Sequence, residues 1–229
     1  MPDKPAKPVL ALDVYGTLID PFSMESHLRA AFGERAREAS ELWRAKQLEY
    51  SFRRALMKKY VPFDVCTAQA LRFVGAHFGI SLSTEAQERL QARYKHLPAY
   101  PDVAEALDEF AAQGFEIVAF SNGTARAVRG ALDQAGILPR FGKIVSVDAV
   151  RSFKPDPAVY EYLLAEVQAP REGLWVISSN PFDVIGAKAC GLRTVWVQRD
   201  SKRVFDPWEF EPDVIVHGMK ELKDLLTSR

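Results

Sequence analysis

The chain has 229 residues, 48% of them hydrophobic, which is enough to bury a full core and leave material for a sizeable insertion. Its 30 Lys and Arg residues balance its 30 Asp and Glu residues, so the overall charge predicts no nucleic-acid partner and no membrane partner. A small molecule is the partner that these features favour.

The N-terminal residues 1–8 do not fit a signal peptide. The apolar run that follows covers only residues 9–12 before it meets Asp13, which is too short for the apolar core of such a peptide. The two cysteines, Cys66 and Cys190, lack the spacing of a metal site. Together these features predict a cytoplasmic protein with reduced thiols.

Short β-type runs alternate with helical patterns along most of the chain. The β-type runs cover residues 9–13, 116–120, 143–147, 174–177, 194–197 and 213–216. Helical patterns between them cover residues 102–113, 125–135 and 157–167. This alternation is typical of a parallel sheet with crossover helices. The sequence therefore predicts an α/β fold with a Rossmann-like parallel sheet as its core.

Residues 21–98 break this alternation, because they contain no convincing strand and several helical patterns, the longest at 34–60. The segment leaves the chain after the first strand, at the carboxyl end of the sheet. It should therefore lie over the crevice where open α/β sheets bind ligands. We expect an all-helical cap at 21–98, inserted after the first strand, on a catalytic core formed by 1–20 and 99–229.

The first strand runs directly into Asp13, which is followed by the turn residues Val14, Tyr15, Gly16 and Thr17. Backbone amides of such a turn can hydrogen-bond the carboxylate and keep it ionised, as covalent catalysis requires. The structural alternative is a strand-end aspartate that caps a turn, and for Asp13 alone that alternative is the better one.

Two further strands end in polar motifs. The run at 116–120 is followed by Ser121 and Asn122, which with the next helix N-terminus can bind a carboxylate or phosphate oxygen; an ordinary turn is equally compatible. Lys154 precedes Pro155, which keeps it outside the following helix and able to reach Asp13. The alternative for Lys154 is an exposed surface lysine.

A fourth motif, Ser-Ser-Asn-Pro-Phe-Asp, covers residues 178–183 after the run at 174–177. Asn180 as an N-cap, Pro181 at the first helical position and Asp183 at the third form a plausible helix start. The same carboxylate at a strand end can also orient a water molecule. Both interpretations remain open from the sequence.

Arg44 lies within the helical pattern at 34–60, on the apolar stripe formed by Leu48, Phe52 and Ala55. A guanidinium on that face either extends to solvent along the helix or faces the crevice and binds a small anion there.

These motifs, in this order, resemble those of the haloacid dehalogenase superfamily, and with the cap they resemble the type II L-2-haloacid dehalogenases along almost the whole chain. The resemblance implies that Asp13 attacks C2 of a short 2-halo carboxylate and displaces halide with inversion. Water then hydrolyses the aspartyl ester. It also implies that no cofactor and no metal is needed, and that the protein is a homodimer.

The resemblance assigns further roles residue by residue. Lys154 pairs with the nucleophile, Asp183 activates the hydrolytic water, and Arg44 binds the substrate carboxylate or the departing halide. The supporting polar positions are Thr17, Tyr160, Ser178 and Asn180. The substrate pocket is expected to include the peptide Val14–Tyr15, Ser121, Asn122, Leu48, Phe63 and Phe182. Two positions depart from the family pattern, Ala45 for a glutamine and Phe182 for an indole, and both make the pocket roomier or less polar.

Three other functions compete with that of a dehalogenase. A magnesium-dependent phosphatase would need an acid two residues after the nucleophile, where this chain has Tyr15, and more acid in the fourth motif. A hydrolase with the same mechanism could instead open the ring of azetidine-2-carboxylate, which the smaller Phe182 leaves possible. A non-catalytic binder of small acids fits poorly, because Asp13, Lys154 and Asp183 are all retained.

Overall fold

The computed structural model describes residues 7–227 of the chain. Its strands are β1 (Val9–Asp13), β2 (Glu116–Ser121), β3 (Lys143–Ser146), β4 (Leu174–Ser178), β5 (Arg193–Val197) and β6 (Val214–Val216). They form one sheet in the order β3-β2-β1-β4-β5-β6, and every neighbouring pair is parallel. The predicted α/β fold with a Rossmann-like parallel sheet is confirmed.

Strand β1 lies in the interior of this sheet, and its apolar sequence follows from burial on both faces. Leu10 and Leu12 belong to one buried hydrophobic cluster, and Val9 and Ala11 belong to another. Because successive strand residues point to opposite faces, the two clusters lie on the two sides of the sheet. Asp13 is thus the polar end of an otherwise apolar strand.

Strands β3 and β6 are each one residue shorter than predicted, and β2, β4 and β5 are each one residue longer. Val147 begins a short 3-10 helix instead of extending β3, because the Ser146 hydroxyl accepts a hydrogen bond from the backbone N–H of Asp148 (3.3 Å). Asp213 precedes β6, and its carboxylate accepts the backbone N–H of Thr194 (2.8 Å). In both places a local side-chain hydrogen bond competes with strand pairing.

Helices α5 (Val103–Ala112), α6 (Ala125–Gln134), α7 (Pro157–Val167), α8 (Pro181–Ala189) and α9 (Met219–Thr227) accompany the strands. Two of them begin at side-chain caps. The Thr124 hydroxyl accepts the backbone N–H of Ala127 (3.2 Å), and the Asp156 carboxylate accepts that of Ala158 (3.0 Å).

The chain between β1 and α5 is helical where the sequence predicts the cap. It forms α1 (Glu25–Phe32), α2 (Ala36–Leu56), α3 (Phe63–His77) and α4 (Thr84–Tyr94). Helix α2 ends at Leu56 and not at residue 60, because Lys58 adopts a left-handed φ of 55°. The Trp43 indole N–H donates to the carbonyl of Thr67 (2.9 Å) and ties α2 to α3. The domain limits at 1–20, 21–98 and 99–229 stay a prediction.

The segment between α2 and α3 contacts the sheet side of the molecule through two polar links. The Tyr60 hydroxyl donates to Oδ1 of Asp148 at 2.5 Å, and the Lys58 ammonium lies 3.5 Å from the Asp156 carboxylate.

Both cysteines are free thiols, Cys66 buried and Cys190 partly exposed. Within residues 7–227, no helix has the length and apolar character to cross a membrane. Most of the segment 1–8, on which the signal-peptide prediction depends, lies outside the described residues.

Candidate active site

The parallel sheet brings three polar strand ends to one edge. Asp13 ends β1, Ser121 ends the neighbouring strand β2, and Ser178 ends β4 on the other side of β1. Parallel strands end at the same edge of a sheet, which is where ligands bind in open α/β folds. The site is therefore built around the end of β1.

Side chains hold the Asp13 carboxylate by both of its oxygens. The Lys154 ammonium donates to Oδ1 (3.1 Å), and the Thr17 hydroxyl and the Asn180 amide each donate to Oδ2 (2.8 Å). Of the turn amides that could bind this carboxylate, those of Gly16 and Leu18 donate to carbonyls inside the turn instead. Three side chains fix the orientation of the carboxylate.

Lys154 is buried, with only 1% of its surface exposed. Its ammonium donates to Asp13, to Oδ2 of Asp183 (2.8 Å) and to the carbonyl of Phe120 (2.9 Å), which accounts for its three N–H donors. Its backbone N–H donates to the side-chain oxygen of Asn122 (2.9 Å). The alternative of an exposed surface lysine is thereby excluded.

Asp183 is fully buried behind Lys154. The Tyr160 hydroxyl donates to its Oδ1 (2.9 Å) and also contacts its backbone carbonyl (3.1 Å). Burial raises the pKa of the Asp183 carboxyl above its ordinary value, and the Lys154 ammonium opposes that rise. A carboxyl with a raised pKa is suited to accept a proton near neutral pH.

The fourth motif does not use its side chains to cap helix α8. Asn180 occupies the N-cap position, but its amide N–H groups donate to Asp13 and to the carbonyl of Tyr15 (3.2 Å). The carboxylate of Asp183 binds Lys154 and Tyr160 instead of the start of its helix. The capping interpretation is therefore wrong for these two side chains, although Pro181 does begin the helix.

Ser178, Ser179 and Thr17 join the fourth motif to the turn after β1. The Ser178 hydroxyl accepts the backbone N–H of Asn180 (3.1 Å), and the backbone N–H of Ser179 donates to the Thr17 hydroxyl (2.8 Å). Ser179 also donates to the carbonyl of Gly16 (2.5 Å). Sequence reasoning assigned no role to Ser179, although it lies inside the fourth motif.

A small pocket opens in front of Asp13. Its lining residues are Asp13, Tyr15, Arg44, Leu48, Phe63, Ser121, Asn122, Asn180 and Phe182. Leu48, Phe63 and Phe182 make part of the wall apolar, and the Phe182 ring packs against that of Phe52 at a centroid distance of 5.1 Å. Asp13 is the one acid and Arg44 the one base among the lining residues.

Arg44 crosses from helix α2 to the turn that follows β1. Its guanidinium donates to the carbonyl of Tyr15 (3.0 Å) and lies 3.5 Å from the side-chain oxygen of Asn180. The Tyr15 ring stacks on that of Tyr94 from the cap helices, with centroids 6.2 Å apart. Arg44 thus faces the crevice, which is the second of the two interpretations that the sequence allows.

Comparisons with known proteins show the family of the chain. The family model for haloacid dehalogenase-like hydrolases matches residues 8–191. The chain belongs to this family. Among its relatives is an (S)-2-haloacid dehalogenase of Pseudomonas sp. strain YL, 35% identical over 96% of this chain and 94% of the relative. The haloacetate dehalogenase H-2 of Moraxella sp. strain B is 33% identical over 95% of this chain and 96% of that protein.

Solved structures of the family agree as well. An L-2-haloacid dehalogenase from Xanthobacter autotrophicus, with chloropropionic acid covalently bound, superposes with a TM-score of 0.89 at 29% identity. The match covers 97% of this chain and 99% of that one. The resemblance to L-2-haloacid dehalogenases within the haloacid dehalogenase superfamily is confirmed, and the chain is a hydrolase.

Several residues that the family resemblance singled out do not line the pocket of this haloacid dehalogenase-like hydrolase. Lys154, Asp183, Tyr160, Thr17 and Ser178 lie behind Asp13 and form the hydrogen-bond network described above. Val14 was expected in the pocket together with Tyr15, but its side chain is fully buried in the hydrophobic cluster. Tyr15 alone of this peptide lines the pocket.

Arg199 is a site residue that sequence reasoning missed. Its guanidinium donates twice to the carbonyl of Thr17 (2.8 and 3.1 Å) and pairs with Asp102 (2.7 Å). It thereby holds the turn that carries Thr17. Its position shortly after β5, at the same edge of the sheet as Asp13, was the signal that could have identified it.

The described residues include no cluster of three or more His, Cys, Asp and Glu that could hold a metal ion. Asp13 and Asp183 are the two carboxylates nearest the reacting position, and the Lys154 ammonium lies against both. The cation that balances these carboxylates is therefore supplied by the chain itself.

Proposed function

We propose that the protein is an (S)-2-haloacid dehalogenase, which hydrolyses short L-2-haloalkanoic acids to D-2-hydroxy acids and halide. The observation that carries the proposal is the placement of Asp13. Its carboxylate is held by Lys154, Thr17 and Asn180 and faces a small pocket in which it is the one acid and Arg44 the one base.

In the first step, an Asp13 oxygen attacks C2 of the substrate from the side opposite the halogen. The carbon–halogen bond breaks, halide leaves with the bonding electrons, and C2 inverts as the aspartyl ester forms. Ser121 and Asn122 bind the substrate carboxylate, and Arg44 binds the carboxylate or the departing halide. Leu48, Phe63, Phe182 and the Tyr15 ring surround the alkyl group.

In the second step, water attacks the ester carbonyl of Asp13 while Asp183 accepts a proton from it. The bond between this carbonyl carbon and the ester oxygen breaks, the 2-hydroxy acid takes up a proton, and Asp13 is regenerated with one oxygen from water. Lys154 and Tyr160 position Asp183 for this step. The carboxylate performs the substitution, so the proposal includes no metal and no cofactor.

The decisive experiment measures chloride and D-lactate released from L-2-chloropropionate in the presence of EDTA. We expect stoichiometric release by the wild type and none by Asp13→Asn or Asp13→Ala. With enzyme in excess over substrate in H₂¹⁸O, the label should enter Asp13 and not the first lactate formed. Full activity of both Asp13 variants, or a strict magnesium requirement, would contradict the mechanism.

The same experiment separates the alternatives. Opening of azetidine-2-carboxylate without any halide release would favour the ring-opening hydrolase, and magnesium-dependent hydrolysis of a phosphate ester would favour the phosphatase. We further propose that the protein works in the cytoplasm, where its two free thiols remain reduced, and that it forms a homodimer as the family resemblance implies. Light scattering after size-exclusion chromatography tests the dimer.

A further inference from the structure

A second and much larger cavity adjoins the pocket at Asp13. It has a volume of about 550 Å³ and shares three lining residues with that pocket, Arg44, Leu48 and Asn180. Its wall comes from the turn after β1, from helix α2 and from the segment after β5. We call it the outer chamber, and its charged lining residues are Asp20, Glu25, Arg37, Glu41, Arg44, Arg199, Asp200, Lys202 and Arg203.

The acidic residues of the outer chamber are already engaged. The Glu41 carboxylate accepts from the Arg37 guanidinium at 3.0 Å, and that of Glu25 accepts from Arg29 at 3.3 Å. Oδ1 of Asp20 accepts the backbone N–H of Phe22 at 2.9 Å. Asp200 accepts the backbone N–H of Lys202, also at 2.9 Å. These contacts partly offset the negative charge of the acids, which would otherwise repel an arriving anion.

The basic residues are not all engaged. Arg199 pairs with Asp102, which lies outside the chamber wall, and Arg37 pairs with Glu41. Arg44 contacts only neutral oxygens, and neither Lys202 nor Arg203 forms an ion pair within residues 7–227. Three charges thus remain available to an anion, Arg44 at the inner end and the exposed Lys202 and Arg203.

Arg203 is presented by a backbone that is fixed at two points. Its N–H donates to the carbonyl of Asp200 (3.0 Å), and its own carbonyl accepts from the Gln198 amide (2.8 Å). Partial desolvation, and after it the positive charge of Arg44, lower the pKa of Arg203. The two guanidinium groups repel each other across the cavity, and an anion bound between them lowers this repulsion.

We propose that the outer chamber is the passage through which anions reach and leave the pocket at Asp13, and that Arg203 steers them. The inference rests on the proposed function, in which the substrate and both products are anions. An arriving anion first meets Arg203 in the outer chamber and then moves to Arg44. Beyond Asn180 it reaches the strand ends that carry Asp13 and Ser121. Arg203 touches no reacting atom, so it changes the rate of arrival and not the chemistry.

The test compares Arg203→Gln and Arg203→Glu with the wild type. The matched controls are Arg72→Gln and Arg72→Glu, since Arg72 is exposed on α3 and does not line the chamber. At low ionic strength, we expect kcat/KM for L-2-chloropropionate to fall roughly 3-fold in Arg203→Gln and roughly 10-fold in Arg203→Glu. High salt should remove these differences. The value of kcat should stay within about 2-fold of the wild type, because Arg203 does not act on the transition state.

A salt-independent loss, an equal loss in the Arg72 variants, or an unchanged kcat/KM in Arg203→Glu would overturn the passage. A second readout does not depend on turnover. Stopped-flow tryptophan fluorescence follows the association of D-lactate with Asp13→Asn, with and without Arg203→Glu, and the added substitution should slow association and leave dissociation little changed. If the wild type releases no halide from any 2-haloacid, the dehalogenase proposal fails, while this binding measurement still decides on the passage.

Discussion

The Nζ atom of Lys154 lies 3.1 Å from the Asp13 carboxylate and 2.8 Å from the Asp183 carboxylate, so one buried ammonium joins the two acids. Removing a buried cation costs more than removing an exposed one, because the two carboxylates would stay in a low-dielectric interior without a partner. The stability of the fold and the geometry of the site therefore depend on the same side chain.

We expect Lys154→Met to abolish halide release and to lower the free energy of unfolding by about 3–5 kcal/mol. The matched control is Lys143→Met, because Lys143 pairs with Glu166 (2.9 Å) in a partly exposed position. Exposed pairs contribute about 0–1 kcal/mol, so this variant should unfold close to the wild type. Urea unfolding measures both, and equal midpoints for the two variants would contradict the proposed role of Lys154.

Tyr160→Phe should change the pH dependence of the reaction. The Tyr160 hydroxyl donates to Asp183 and lowers its pKa, against burial, which raises it. Loss of the hydroxyl raises that pKa further. Since Asp183 must be ionised to accept a proton from water, activity disappears as the pH falls through its pKa. The acid limb of kcat should therefore move to higher pH by roughly one unit.

The control for this prediction is Tyr162→Phe on the same helix, because Tyr162 lies beside Glu166 and not beside Asp183. Its acid limb should coincide with that of the wild type. A shift to lower pH in Tyr160→Phe, or no shift at all, would remove Asp183 from the role of base.

Gly186→Ala tests how tightly helix α8 approaches Tyr160. A Cβ atom at Gly186 would lie 2.6 Å from the Tyr160 hydroxyl and 2.6 Å from Cβ of Pro155, so one of the neighbours must move. We expect a loss of about 1–3 kcal/mol in stability together with reduced kcat. The control is Gly130→Ala in helix α6, where an added Cβ atom would have no neighbour within 4 Å. This variant should have the stability of the wild type or gain about 0.4–1 kcal/mol.

Thermal unfolding and chloride release, measured on both glycine variants, separate crowding at Tyr160 from a general effect of alanine in a helix. Wild-type kcat in Gly186→Ala would mean that the position of Tyr160 is not important for turnover.

Phe182→Trp should narrow the range of substrates. Phe182 lines the pocket and packs edge-on against Phe52, so a larger ring there takes space from the substrate's alkyl group. We expect kcat/KM for 2-chlorobutanoate to fall roughly 10-fold relative to 2-chloropropionate, which is shorter by one methylene, and a change of this size is common for one methylene. Chloride release from the two acids in parallel gives this ratio, and an unchanged ratio would place the alkyl group elsewhere.

Strand periodicity and the rule that parallel strands end at one edge predicted the sheet and brought Asp13, Ser121 and Lys154 together. The same local patterns could not decide the orientation of the Asn180 side chain, because an N-cap and a partner of Asp13 occupy the same position in the chain. Arg199 and Gly186 act through contacts with Thr17 and Tyr160, which are distant in sequence. Such contacts are set by packing across the sheet, which no local pattern contains.

Strand β1 is hydrogen-bonded on both sides, to β2 and to β4, and all of its residues are buried. Amide protons of such a strand exchange with solvent only when the whole fold opens, whereas exposed helices open locally at lower free energy. Asp13 therefore keeps its position as long as the chain stays folded. Arg44 is carried by α2, whose Trp43 is buried in the same hydrophobic cluster as Leu10 and Leu12 of β1, so denaturant should abolish anion binding and displace Asp13 in one transition.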